Sequence, residues 1–406
     1  MKKESKPTIS ACCKPPKSSI YTVKMPRLKS IYLDHAAATP LDQTVLRAMQ
    51  PFFAQQFYNP SATYHAARQA RSGLESARRT VAEWLGAKPS EIIFTAGGTE
   101  ANNLAIQGIM ANYPEGNMLI SAIEHESVRA PAELYKCHEA TVQTDGRLDV
   151  EALIKMIDDQ TVLVSIMYAN NEIGTLQPIR EVAQRLGAVR KARRKAGNDL
   201  PLYLHTDACQ AANYLDLHVS RLGVDLMTIN GGKIYGPKQS GALFVKTGVE
   251  LKPLVYGGGQ ERGLRSGTEN VAACVGLATA LEIAQTNRHT ETERLQSLQH
   301  QAQKMIEKLL PGAVINGSQK FRLPNNLHLT LSGADNERLI FALDEAGIQV
   351  AAGSACNASN EEPSHVLRAI GLDDQGAQSS LRITMGRETT EADILKTIEV
   401  ISKLSS

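Results

Sequence analysis

From about residue 45 onward, short apolar runs ending in polar residues alternate with longer helix-like stretches. The segment SATYHAARQARSGLESARRTVAEWLG, residues 61–86, has no internal proline and stops at a glycine, which predicts a helix. EIIFTAGG (91–98) is a brief apolar run closed by glycines, and the TEANNLAIQGIM that follows reads as a helix. Further strand-like runs lie at 117–125, 161–172, 201–210, 225–233 and 241–245, and helical intervals separate most of them, notably 178–196. Strands alternating with helices predict an α/β fold with a mainly parallel sheet covered on both faces. After about residue 280, a helical stretch (roughly 286–310) leads to NNLHLTLSG, GIQVAAG and LRITMG, read as a smaller α/β lobe. The expected division is a large ligand-binding lobe at 45–285 and a small lobe made of 31–44 with 286–406. Residues 1–30, rich in Lys, Pro and Ser, are expected to be a disordered extension.

Composition narrows the function. With 42% hydrophobic and 21% charged residues, the 406-residue chain resembles a soluble globular enzyme. Lys+Arg number 44 against 42 Asp+Glu, a net charge of +2, so nucleic-acid binding is not expected as the main activity. The basic run RKARRK (190–195) falls on a predicted helix and reads as a solvated face. No apolar run reaches membrane-spanning length, and the first 30 residues lack the apolar stretch of a secretory signal. Six cysteines without CxxC spacing fit a reducing, cytoplasmic compartment, although the N-terminal extension leaves organellar targeting open. No metal site is expected.

The polar residues of the strand-like runs collect at their ends: Thr99, Glu124–His125, Asn170–Asn171–Glu172, Asp207 and Lys233. Ligands of parallel α/β sheets bind beyond the carboxyl ends of the strands, so a shared pocket is expected there. A lone lysine in a turn is usually a surface residue. A carboxylate ending one strand (Asp207) and a lysine among glycines after the next (Lys233) together suit pyridoxal phosphate (PLP). The lysine would form the Schiff base, and the carboxylate would keep the pyridine nitrogen protonated. GGKIYGPK lacks the GxxxxGK[ST] order of a nucleotide phosphate loop. TAGGTEANN offers the phosphate site instead, with Gly98 and Thr99 at the start of a predicted helix. Cys356 stands in AAGSACNAS (351–359), among residues too small to enclose it. Taken alone it could be a core filler, half of a disulfide, a metal ligand or a nucleophile, and the buried structural reading comes first. Cys209, beside Asp207, is expected to serve packing.

The motifs YLDHAAATP, GGTEANNLAIQG, EHESV, NNEIGTLQPI, HTDACQ, KIYGPK, GGGQERGLRSGTEN, GSACNAS, EPSHVLRAIGL and SSLRITMGR occur in this order between about Ile31 and Thr390. Together they resemble the NifS/IscS cysteine desulfurases, which are fold-type I PLP enzymes of the class-V aminotransferase family. The resemblance implies removal of sulfur from L-cysteine, giving L-alanine and a persulfide on Cys356. That sulfur would pass to an acceptor protein, such as an iron–sulfur scaffold or a thiolation enzyme. It also implies that Lys233 carries the cofactor and shuttles protons, that Asp207 pairs with the pyridine nitrogen, and that Gln210 meets the phenolic oxygen. His125 would stack on the ring as an acid–base group, and Asn171 would sit beside cofactor and substrate. Arg382 would clamp the substrate carboxylate. Thr99 would contact the phosphate, with Thr268 reaching in from the second subunit of a homodimer. The family commonly has a histidine before the lysine and a serine two residues earlier; here Gly232 and Asn230 occupy those positions. Asn230 can still donate a hydrogen bond, and Gly232 offers only its backbone N–H. The alternative implied activities are those of a selenocysteine lyase or another PLP-dependent lyase or aminotransferase. A non-catalytic relative would be favoured by loss of Lys233 or Asp207, and both are present.

Overall fold

The computed structural model describes residues 30–353 and 363–405. The residue-1–30 extension, apart from Ser30, and Cys356 with its neighbours 354–362 lie outside the described residues. In chain order the strands are β1 (Ile31–Tyr32), β2 (Ile92–Thr95), β3 (Asn117–Ser121), β4 (Lys136–Ala140), β5 (Thr161–Ser165) and β6 (Tyr203–Asp207). They continue with β7 (Leu226–Asn230), β8 (Gly241–Val245), β9 (Ala313–Ile315), β10 (Asn326–Leu331), β11 (Ile348–Gln349) and β12 (Ser380–Thr384). The helices that position the site are α1 (His65–Leu85), α2 (Gly98–Met110), α3 (Glu126–Ala132), α4 (Ile179–Lys195), α5 (Val271–Thr286), α6 (Arg288–Leu309), α7 (His365–Ala369) and α8 (Glu391–Leu404).

Seven strands form one sheet in the order β2-β8-β7-β6-β5-β3-β4. β4, β3, β5, β6 and β7 run parallel; β8 is antiparallel to both β7 and β2. Because β8 alone is reversed, the carboxyl ends of β2, β3, β5, β6 and β7 share one edge. Strands β3, β5 and β8 are buried throughout, as a sheet covered on both faces requires. One face packs on Leu74, Val81 and Leu85 of α1 and on Leu277 and Leu281 of α5. The other packs on α2, whose Ala101, Leu104, Ala105 and Ile109 are all buried. A second apolar cluster joins Ile31 and Leu33 to Leu295 and Ile306 of α6, Leu327 and Leu329 of β10, and Ile398 of α8. It encloses the antiparallel sheet β12-β10-β9.

The helix expected over 61–86 starts later, at His65, because Asn59 Oδ1 accepts the Ser61 N–H and holds the preceding residues in a turn. Its end stands as read: Gly86 caps it at φ +62°. Strand β4 was not foreseen, since its sequence KCHEA is an edge strand with mostly exposed side chains and no apolar run. No described helix is long and apolar enough to cross a membrane.

Candidate active site

The carboxyl edge of the large sheet holds a cleft lined by Gly98, Thr99, His125, Asn171, Asp207, Gln210, Asn230, Lys233 and Arg382. They come from several strand ends, helix starts and strand β12. β6 ends at Asp207, β7 ends at Asn230, and a short 3₁₀ turn after β7 carries Lys233. Gly98 opens α2, His125 caps α3, Asn171 follows β5, and Arg382 lies on β12. The α2 entrance needs its glycines. Gly97 has φ +131°, and a Cβ on Gly98 would lie 2.8 Å from Cys209 Sγ. Cys209 therefore packs as expected, and it also lines the cleft, which packing alone did not predict. Burial beside Asp207 pushes its thiol well up, so it is inert as a thiolate.

Asp207 is held from two sides, by the Cys209 N–H on Oδ1 (2.9 Å) and by Asn102 Nδ2 on Oδ2 (2.7 Å). The second amide hydrogen of Asn102 goes to Ser127 Oγ at 2.8 Å, and that hydroxyl lies 2.9 Å from His125 Nδ1. His125 Nδ1 also accepts the Ser127 N–H at 3.1 Å. With Nδ1 used as an acceptor, the neutral ring carries its proton on Nε2. One chain of hydrogen bonds thus ties Asp207 to His125. Neither Asn102 nor Ser127 was singled out from the sequence.

Lys233 Nζ donates to the carbonyls of Ala36 (2.8 Å) and Ala37 (2.7 Å), and Gln210 Nε2 donates to Ala36 O at 3.0 Å. The AAA stretch at 36–38 therefore forms one wall through its backbone, which has no side-chain signal. Arg382, only 1% exposed, gives Nη2 to Asp34 Oδ1 (2.7 Å) and Nη1 to Asn171 O (3.1 Å). Its Nε is buried without a hydrogen-bond partner among the described residues. An anionic group in the cleft would satisfy that donor. Gly232 gives its N–H, the only donor it has, to Asn230 Oδ1 (3.0 Å). Asn230 Nδ2 faces the Gly98 backbone.

The remaining polar residues of the strand ends sit behind the cleft. Asn170 is fully buried; its Oδ1 accepts the N–H groups of Glu172 and Ile173, and its Nδ2 donates to Ile123 O. Glu124 accepts the Met167 N–H, and burial raises its carboxyl well above the ordinary range. Thr268 is exposed and lies in a separate hollow with Thr95, Glu261 and Asn270, so its own chain does not bring it into the cleft. No group of His, Cys, Asp or Glu side chains among the described residues is placed to hold a metal ion.

The donor set fits PLP. One wall carries a hydrogen-bonded carboxylate, an amine stands opposite on a glycine turn, and a helix N-terminus with Asn230 faces the same space. The sequence profile of the aminotransferase class-V family matches residues 31–396. A cysteine desulfurase IscS of Dictyoglomus turgidum is 39% identical over 383 residues, spanning 93% of this chain and 94% of its own. A human cysteine desulfurase is 39% identical, over 92% of this chain and 81% of its own. A solved NifS-like protein superposes with a TM-score of 0.84 at 31% identity, over 92% of this chain and 98% of its own. A structure described as SspA in complex with cysteine superposes with a TM-score of 0.74 at 34% identity, over 88% and 99%. The chain belongs to the class-V aminotransferase family, within its cysteine desulfurases.

Proposed function

We propose that this cysteine desulfurase moves sulfur from L-cysteine to Cys356 in the cleft built on Asp207, Lys233 and Arg382. The observation that carries the reading is the meeting of Asp207, Lys233 and the α2 N-terminus in one cleft. PLP, when bound, supplies the electron sink that lets the α-proton and the sulfur of cysteine leave. Lys233 holds the cofactor and moves the α-proton. Asp207, fixed by Asn102 and the Cys209 N–H, keeps the pyridine nitrogen protonated. Gln210 would meet the phenolic oxygen, and His125, with its proton on Nε2, would serve the ring as an acid–base group. Gly98, Thr99 and Asn230 hold the phosphate, joined by Thr268 of the partner subunit in a homodimer. Exposed Phe53, Phe57 and Tyr256 leave apolar surface for such a pairing. Asn171 sits beside the substrate, and Arg382 takes its carboxylate on the donor that is otherwise unused.

Overall, L-cysteine and the Cys356 thiol become L-alanine and the Cys356 persulfide. A C–S bond breaks, an S–S bond forms, and the thiol proton balances the new C–H bond. Cys356 acts as a thiolate, the nucleophilic form. A relative solved with cysteine supports that substrate. The lobe at 45–285 binds the cofactor, and the lobe of 31–44 with 286–406 brings Arg382 and Cys356. The persulfide passes to an acceptor protein, such as an iron–sulfur scaffold, in the cytoplasm.

Alanine and sulfide release from L-cysteine, measured with a reductant, test the reading. Lys233→Ala abolishes both. Cys356→Ala abolishes desulfuration while leaving cofactor absorbance in place. Undiminished sulfide release by Cys356→Ala refutes the assignment of the nucleophile.

A further inference from the structure

Glu172 follows Asn171 in the turn after β5, is 1% exposed, and has no place in the chemistry just described. Its backbone is fixed, since its N–H donates to Asn170 Oδ1 (2.9 Å) and its carbonyl accepts from Asn326 Nδ2 (2.8 Å). Its carboxylate points to neither core nor solvent. Oε2 accepts the Ser364 hydroxyl at 2.6 Å, a short charge-assisted bond. A Cβ placed on Gly353 would lie 3.3 Å from the same oxygen. Gly353 and Ser364 flank the stretch that carries Cys356. One buried carboxylate oxygen thus holds the Ser364 root of that stretch and leaves little room for a side chain at the Gly353 root.

The roots are also tied to the cleft. Ala351 pairs with Arg382, N–H to carbonyl in both directions at 3.2 and 2.6 Å. Ser364 Oγ accepts from the Val366 and Leu367 N–H groups and so caps α7 while its hydroxyl proton goes to Glu172. His365 Nε2 lies 2.9 Å from Glu124 O, the carbonyl next to His125. Val366 and Leu367 pack on Ile123, Met167 and Ile173, from the loops that bear His125 and Asn171.

We infer that Glu172 is a positioning residue for the sulfur-transfer step: by holding Ser364 at the start of α7 it fixes the chain that leads out of the Cys356 stretch. This rests on Cys356 being the sulfur acceptor. Glu172 shares a small hollow with His125 and Asn171, but its carboxylate oxygen Oε2 is engaged by Ser364, so its removal slows transfer to Cys356 and spares the events before it.

The test uses the holoenzyme mixed rapidly with ³⁵S-labelled cysteine. The cysteine-induced change in cofactor absorbance is followed, and label on the Cys356 peptide is counted in quenched, non-reduced samples. Glu172→Ala and Ser364→Ala each slow labelling about tenfold, the effect of one lost hydrogen bond to a charged group. Cofactor affinity and the absorbance step stay within about twofold of wild type. Ser364→Thr, which keeps the hydroxyl and the cap, restores the rate. The double variant is no slower than the slower single one. The Ser364 pair decides the matter without emptying a buried carboxylate position. Labelling at the wild-type rate in Ser364→Ala overturns the proposal, as does an absorbance step that slows in parallel with labelling. Absence of label on Cys356 in the wild type overturns the underlying reading instead.

Discussion

Replacing Asn102 by aspartate keeps the side chain's shape but removes both hydrogen bonds its Nδ2 donates, to Asp207 and to Ser127. Asn102 Nδ2 stands 2.7 Å from Asp207 Oδ2, and both residues are buried. Asn102→Asp therefore faces one carboxylate with another in place of a donor. Two unit charges about 4 Å apart at an effective dielectric of about 20 repel by about 4 kcal/mol. That equals about three pH units, so the native pair holds one proton up to about pH 7, whereas a free aspartate loses it near pH 3.9. The sign follows from linkage. A carboxyl whose pKa is raised by folding favours the native state at low pH and loses that advantage as pH rises. The variant is expected to be less stable than wild type by about 1.5 kcal/mol at pH 5 and about 4 kcal/mol at pH 8. Urea unfolding of both proteins at pH 5, 6, 7 and 8 measures the difference. The shared proton also draws negative charge away from Asp207, so the pyridine nitrogen would be held less well, and alanine formation slows while the KM for cysteine changes little. A stability difference that is flat with pH, or shrinks as pH rises, would refute the contact between Asn102 and Asp207.

Other consequences concern stability and substrate binding. His205 is buried between Ser165 Oγ (2.8 Å) and Thr228 Oγ1 (3.1 Å), and burial lowers its pKa to about 4. Its contribution is present above the unfolded value near 6.5 and is lost as pH falls towards 4, about 2 kcal/mol between pH 7 and 5. Since the raised carboxyl of Glu124 pulls the other way, the check is a shallower loss of urea stability over that range in His205→Asn than in wild type. Arg78 donates two 2.7 Å bonds to Glu261 in the core, and Glu261 also accepts the Phe94 N–H. Glu261→Ala leaves the buried guanidinium only the longer contact to the half-exposed Glu75 (3.3 Å) and the Ile92 carbonyl, and costs about 3 kcal/mol in urea unfolding. Arg382→Lys loses the fork to Asp34 and Asn171 and the free Nε donor; the KM for cysteine rises about tenfold or more with the cofactor spectrum intact.

How much of this was legible depends on what each residue's role needs. Asp207 and Lys233 stood out because polar residues at the ends of apolar runs have no core function. Gly98 and Thr99 stood out because glycines before a helix suit an anion. Asn102 and Ser127 did not. Within a helical pattern either reads as an ordinary polar residue, and only the packing of α2 against α3 brings them between Asp207 and His125. The contacts of Ala36 and Ala37 are made by backbone carbonyls, which composition never reveals. Asp34 meets Arg382 across 348 positions of chain, a distance that periodicity cannot bridge. That the Gly232 N–H is taken by the neighbouring Asn230 side chain depends on the turn after β7, which residue type does not reveal. The polar edge strand Lys136–Ala140 escaped because an edge exposes both of its faces in part.

The most direct test of sulfur transfer to Cys356 is a single turnover of the holoenzyme with ³⁵S-cysteine, followed by mass spectrometry of the unreduced peptides. One added sulfur is expected on the peptide containing Cys356, formed together with one alanine. Label on Cys137, Cys209 or Cys274, or alanine released with no labelled peptide at all, would contradict it.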